Sequence, residues 1–81
     1  MQYKTIILEL LESRTAYHQQ LVSSKQLLST MNQLATQLRS LHLQQLSLLE
    51  QQQPNRSLDA LKSEALEVAL SLIAETLPPE Q

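Results

Sequence analysis

An all-α fold is predicted by three features of the sequence: leucines recur at helical spacing, glycine is absent, and prolines mark where the apolar runs stop. Within residues 24–49, Leu27, Met31, Leu34, Leu38, Leu41 and Leu48 fall along one side of a helix, and Leu28, Ala35, His42 and Leu49 form a neighbouring seam. A chain without glycine lacks the residue that usually makes tight turns and left-handed helix caps. Leucine occurs 19 times, Phe and Trp not at all and Tyr twice, so the apolar content is almost wholly aliphatic. Val, Ile and Thr are too scattered to alternate as strands.

In chain order, residues 3–12 carry Tyr3, Ile6, Ile7, Leu10 and Leu11 as a broad helical stripe. The Ser13-Arg14-Thr15 stretch has modest helix propensity, and Ser13 or Thr15 can act as an N-cap, but no Pro or Gly compels a break. Two readings follow: one helix over about 4–52, or a short segment over 3–12 followed by a long helix over 16–52. A helix of that second length would extend about 55 Å, far beyond the usual three turns. Its heptad pattern weakens toward the N-terminal side, where Gln20 and Ser24 occupy the seam. Pro54 and Asn55 place a turn at 53–57, with Ser57 as the N-cap of a helix over 58–77 and Asp59 in its favourable first turn. Leu58, Leu61, Ala65, Val68 and Leu72 form one seam of that helix, widened by Leu66, Ala69, Leu70, Ile73 and Leu77. Pro78 and Pro79 end it, and residues 78–81 are expected to fray.

These elements predict a single domain over 1–81: a helical hairpin of one long helix, with a possible break near 13–15, and a C-terminal helix folded back on it. The C-terminal helix, about 30 Å long, can cover roughly half of the longer one. Leucines left wet would forgo about 1.5–3 kcal/mol each, a large part of a small domain's stability. Assembly as a dimeric helical bundle or coiled coil is therefore expected. Leu27, Leu28, Met31, Leu34, Leu38, Leu41 and Leu48 are the candidate oligomerisation residues, and a second subunit would also cover outward-facing Leu43 and Leu46. A homodimer is the leading form, and a different protein partner would satisfy the same leucines. Gln45 interrupts the seam, where a polar group can set register in an assembly.

The search for chemistry is negative. There is no cysteine, and a glycine-free chain cannot build phosphate loops or a nucleophile elbow. His18 and His42 would lie about 36 Å apart on one continuous helix, and neither has an acidic residue three or four positions away. Glu9 with Glu12 and Glu64 with Glu67 are exposed-face pairs, without the Glu-x-x-His elements of a di-metal bundle. No catalytic residue, metal ligand or cofactor site is expected, and the chain does not read as an enzyme. No apolar run reaches the roughly 18 residues of a membrane span, and acidic residues interrupt the first apolar run too soon for a secretory leader. A cytoplasmic, non-membrane protein is the expectation.

The function that these features suggest is a non-enzymatic protein–protein interaction or oligomerisation module. The alternative is a small accessory protein that binds nucleic acid through Lys4, Arg14, Lys25 and Arg39 on a sparse basic face of a dimer. The formal charge is −2, and the basic excess of residues 1–56 is outweighed by the acidic residues 57–81, which makes nucleic acid the weaker reading. Duplex DNA is expected to bind weakly and only at low salt, because few phosphates can be neutralised. In a fluorescence titration, sequence-selective binding that survives roughly 0.2 M salt would reverse that ranking.

Overall fold

The computed structural model describes residues 3–78, and the expectation for the last residues, 79–81, lies outside them. Among the described residues four separate helices follow one another: α1 (Tyr3–Ser13), α2 (Thr15–Ser23), α3 (Leu27–Gln52) and α4 (Leu58–Thr76). The fold is all-α. The expected hairpin built on one long helix over 16–52 is corrected, because the chain turns twice before residue 27.

The first turn is made at a single residue. Ser13 Oγ donates to the Leu10 carbonyl at 2.6 Å, and the Arg14 N–H closes a tightened last turn on Leu11 O at 2.9 Å. Arg14 then leaves helical geometry at φ −102°, ψ 71°, while its own carbonyl accepts from His18 N–H to start α2. The second turn is a Schellman motif. Gln26 N–H donates to Leu21 O at 2.9 Å and Lys25 N–H to Val22 O at 3.1 Å, with Lys25 in the left-handed region at φ 60°. Ser24 reinforces it by donating Oγ–H to the carbonyls of Gln20 and Leu21. Both turns serve the core. They bring Leu21 of α2 into the same cluster as Ile7 and Leu11 of α1, Leu34, Ala35 and Leu38 of α3, Ala69 and Ile73 of α4, and Leu77 just beyond it.

A five-residue connection returns the chain at the other end of α3. The Gln53 N–H caps Leu49 O, Pro54 and Asn55 turn, and Ser57 Oγ accepts from Ala60 N–H at 3.2 Å to open α4. Arg56 donates to Gln53 Oε1 at 2.6 Å and pairs with Glu64, tying the turn to the first turns of α4. At its far end α4 stops before Leu77, which is extended at ψ 152° as a residue preceding proline is expected to be.

The contact between α3 and α4 decides the architecture. Leu61, Ala65, Ala69, Ile73 and Leu77 are all buried, as are Leu34, Leu38 and His42 on α3. These residues are four apart, the rows that interlock in ordinary globular helix packing. A coiled coil would instead bury the alternating seam Leu58, Leu61, Ala65, Val68, Leu72, and Leu58, Val68 and Leu72 stand exposed. The coiled-coil expectation is corrected on that ground. The small side chains of Ala65 and Ala69, both fully buried, let the two backbones approach.

Lys25 holds a side chain in a conformation that glycine adopts without a Cβ clash. Lys25→Gly is expected to raise stability by about 0.5–1 kcal/mol, the relief of strain exceeding the added freedom of the unfolded chain. A urea titration checks this: the midpoint should rise at unchanged slope, and a fall would count against the left-handed turn.

Candidate functional site

His42 is where three helices meet. Tyr3, at the start of α1, places its hydroxyl 3.0 Å from His42 Nδ1, and its ring meets the imidazole edge-on at 5.9 Å and 72°. On the other side His42 Nε2 lies 3.1 Å from the Lys62 carbonyl of α4. A carbonyl oxygen only accepts, so Nε2 carries the hydrogen in the neutral ring and Nδ1 accepts from the Tyr3 O–H. At 4% exposure the ring has both nitrogens engaged. Among the described residues no carboxylate pairs with it, and no group of three or more His, Cys, Asp or Glu could hold a metal ion. His42 is thus a structural clamp, and His18 sits apart from it on α2.

Beyond this clamp the third helix continues to Gln52. Because Tyr3 meets α3 at His42, residues 43–52 run on past the start of α1 and rest on the beginning of α4. None of residues 43–52 is buried. Leu61 and Ala65 of α4 are covered, yet Leu43 is 51% and Leu58 50% exposed, Leu48 is exposed, and Leu46 and Leu49 are half-buried. Around them lie Gln44, Gln45, Gln51 and Gln52, with Glu50 as the charge that this part of α3 contributes. The result is a two-helix arm rich in half-covered leucine, with few charges on its α3 side and Asp59, Lys62 and Glu64 on its α4 side.

The seven leucine and methionine positions singled out in the sequence separate into two groups. Leu34 and Leu38 are buried in the chain's own core, and Leu27, Met31 and Leu41 are half-buried against it. Leu28, at 67%, and Leu48 are exposed. Leu43 is also exposed on the arm, on a different side of α3 from Leu48, and Leu58 was read as a seam residue of its own helix. Its exposure follows from the four-apart packing of α4, which a heptad reading cannot anticipate. Of the basic residues, Lys4 and Arg39 line one groove between α1 and α3. Arg14 is at the α1–α2 corner and Lys25 in the α2–α3 turn. Ten residues of helix rise separate Lys4 from Arg14, about 15 Å.

No family model matches the chain, and neither a curated protein nor a solved structure matches it. Among the described residues no helix is long and apolar enough to cross a membrane.

The clamp makes an energetic statement that can be measured. Tyr3→Phe should cost about 1 kcal/mol, and His42→Leu about 1–3 kcal/mol through the lost partners of Tyr3 and Lys62. In the His42→Leu background, Tyr3→Phe should cost close to nothing. Additive losses in that double-mutant cycle would show that the two side chains do not act together.

Proposed function

We propose that this chain is a non-enzymatic helical protein–protein interaction module, and that the arm formed by residues 43–52 of α3 and the start of α4 is its contact surface. The observation that carries the reading is that the last ten residues of α3 bury no side chain although four of them are leucine. A helix prolonged by leucines past its own core gains little alone, since half-covered leucines forgo much of the roughly 1.5–3 kcal/mol that full burial provides.

A second copy of the chain is the proposed occupant. The rim of the arm is glutamine, whose amide both donates and accepts, so identical side chains can pair across a twofold axis. A rim of one charge sign would repel itself, and here the Glu50 carboxylate is the charge on the α3 side. Leu43, half-buried Leu46 and Leu58 would supply the apolar centre of such a contact, on the side of α3 where Glu50 shares a groove with Leu58 and Leu61; Leu48 lies about 140° around the helix from Leu43. Leu28 and the half-buried seam residues Leu27, Met31 and Leu41 lie outside it. A cytoplasmic setting fits this reading.

Sedimentation velocity from about 1 to 200 μM, a span bracketing dissociation constants of ordinary weak dimers, should show a concentration-dependent dimer. Leu43→Glu and Leu58→Glu, both on exposed positions, should each weaken association at least tenfold, about 1.4 kcal/mol, with helicity unchanged by circular dichroism. A wild-type chain that stays monomeric throughout would remove the second copy as occupant and leave the arm to a different protein.

A further inference from the structure

The groove between α1 and α3 lies outside the arm and differs from it in chemistry. It is a shallow groove open to solvent, about 560 Å³ in volume, lined by Tyr3 and Lys4 from α1 and by Asn32, Ala35, Thr36 and Arg39 from α3. That volume is within the range of small-molecule sites, about 300–1,000 Å³. Two cations face it, and among the described residues no acidic one lines it. Neither Lys4 nor Arg39 has an ion-pair partner among the described residues, where the salt bridge formed is that of Arg56 with Glu64. Glu9, the next acidic residue along α1, turns to the groove on the α4 side with Ile6, Leu10, Leu70, Ser71 and Ala74.

The remaining lining groups divide by what they can still offer. Thr36 donates its hydroxyl hydrogen to the Asn32 carbonyl at 3.0 Å, and the Tyr3 hydroxyl is committed to His42. The Asn32 side-chain amide therefore remains as the neutral donor, beside the planar fork of Arg39 and the point charge of Lys4. The Tyr3 ring and the methyl group of Ala35 supply an apolar wall and floor. A guanidinium fork with an ammonium and an amide matches the oxygens of one oxyanion, and the wall accommodates a compact apolar body attached to it.

We infer that this groove binds a small organic oxyanion, a carboxylate or phosphate monoester carried on an aromatic or short aliphatic body. The head group is held by Lys4, Arg39 and Asn32, and the body rests against Tyr3 and Ala35. This site is independent of association through the arm.

The test is an amide NMR titration of the full chain at low salt with phenyl phosphate, benzoate and, as the uncharged comparison, benzyl alcohol. Saturable shifts at Tyr3, Lys4, Asn32, Ala35, Thr36 and Arg39 are expected with dissociation constants of about 1 mM or below for at least one anion. The stronger of the two identifies the preferred head group. Lys4→Gln and Arg39→Gln, both at exposed positions, should each weaken binding about tenfold, whereas Lys62→Gln on α4 should leave it unchanged. Absence of saturable shifts with either anion, equal binding of benzyl alcohol, or binding unaffected by both groove substitutions would overturn the assignment. Circular dichroism of each variant confirms that a loss of binding is not a loss of fold.

Discussion

The fold depends on one contact, the row Leu61, Ala65, Ala69, Ile73 and Leu77 of α4 set against α3. Two alanines in that row bring the backbones close enough for the carbonyl of Lys62 to receive the His42 N–H. The same histidine accepts from Tyr3, so α1 begins where α3 and α4 are already joined. From that point α1 runs over the pair, and Ile7 and Leu11 become fully buried between elements that neither could cover alone. A polar group in the middle of an aliphatic core is costly unless each of its atoms is satisfied. Here both ring nitrogens are, and the satisfaction fixes the level at which the helices meet.

The two turns before α3 solve a problem of cover. A straight helix through residues 14 and 24–26 would carry Tyr17 and Leu21 away from the core, since a helix cannot fold back on itself. Bending at Arg14 and again at Ser24-Lys25-Gln26 lays α2 against α3 and returns Leu21 to the common cluster. The chain accomplishes this without glycine. Serine hydroxyls take up carbonyls at both helix ends, and Lys25 accepts a left-handed conformation that costs roughly 1 kcal/mol in return for the burial that follows.

With α1 and α2 gathered at one end, the other end of α3 and α4 is left as a pair. This asymmetry places two different surfaces on one small chain. One is the arm, whose α3 side is leucine and glutamine with the single charge of Glu50. The other is the groove beside Tyr3, where cations stand without acids. The first turn of α1 lines the groove, and the arm is built from α3 and α4.

What the sequence determined by itself is whatever has a local cause. Helical leucine spacing and the lack of strand patterning suffice for the all-α class, and Pro54, Asn55 and Ser57 make a turn and a cap through their own backbone and side-chain geometry. The polar stretch Ser23-Ser24-Lys25-Gln26, where the heptad pattern fades, carried a trace of the second break, but a non-glycine residue at φ 60° leaves no signature in the sequence. Tertiary structure alone decided which leucines are inside. Leu58, Leu61, Ala65, Val68 and Leu72 satisfy a heptad, and Leu61, Ala65, Ala69, Ile73 and Leu77 satisfy a four-apart row equally well; the apolar face of α4 is wide enough for both. The choice belongs to the crossing of α3 and α4, and the exposure of Leu58 follows from that crossing. Neither is a property of any single helix, because burial is set by the partner that arrives.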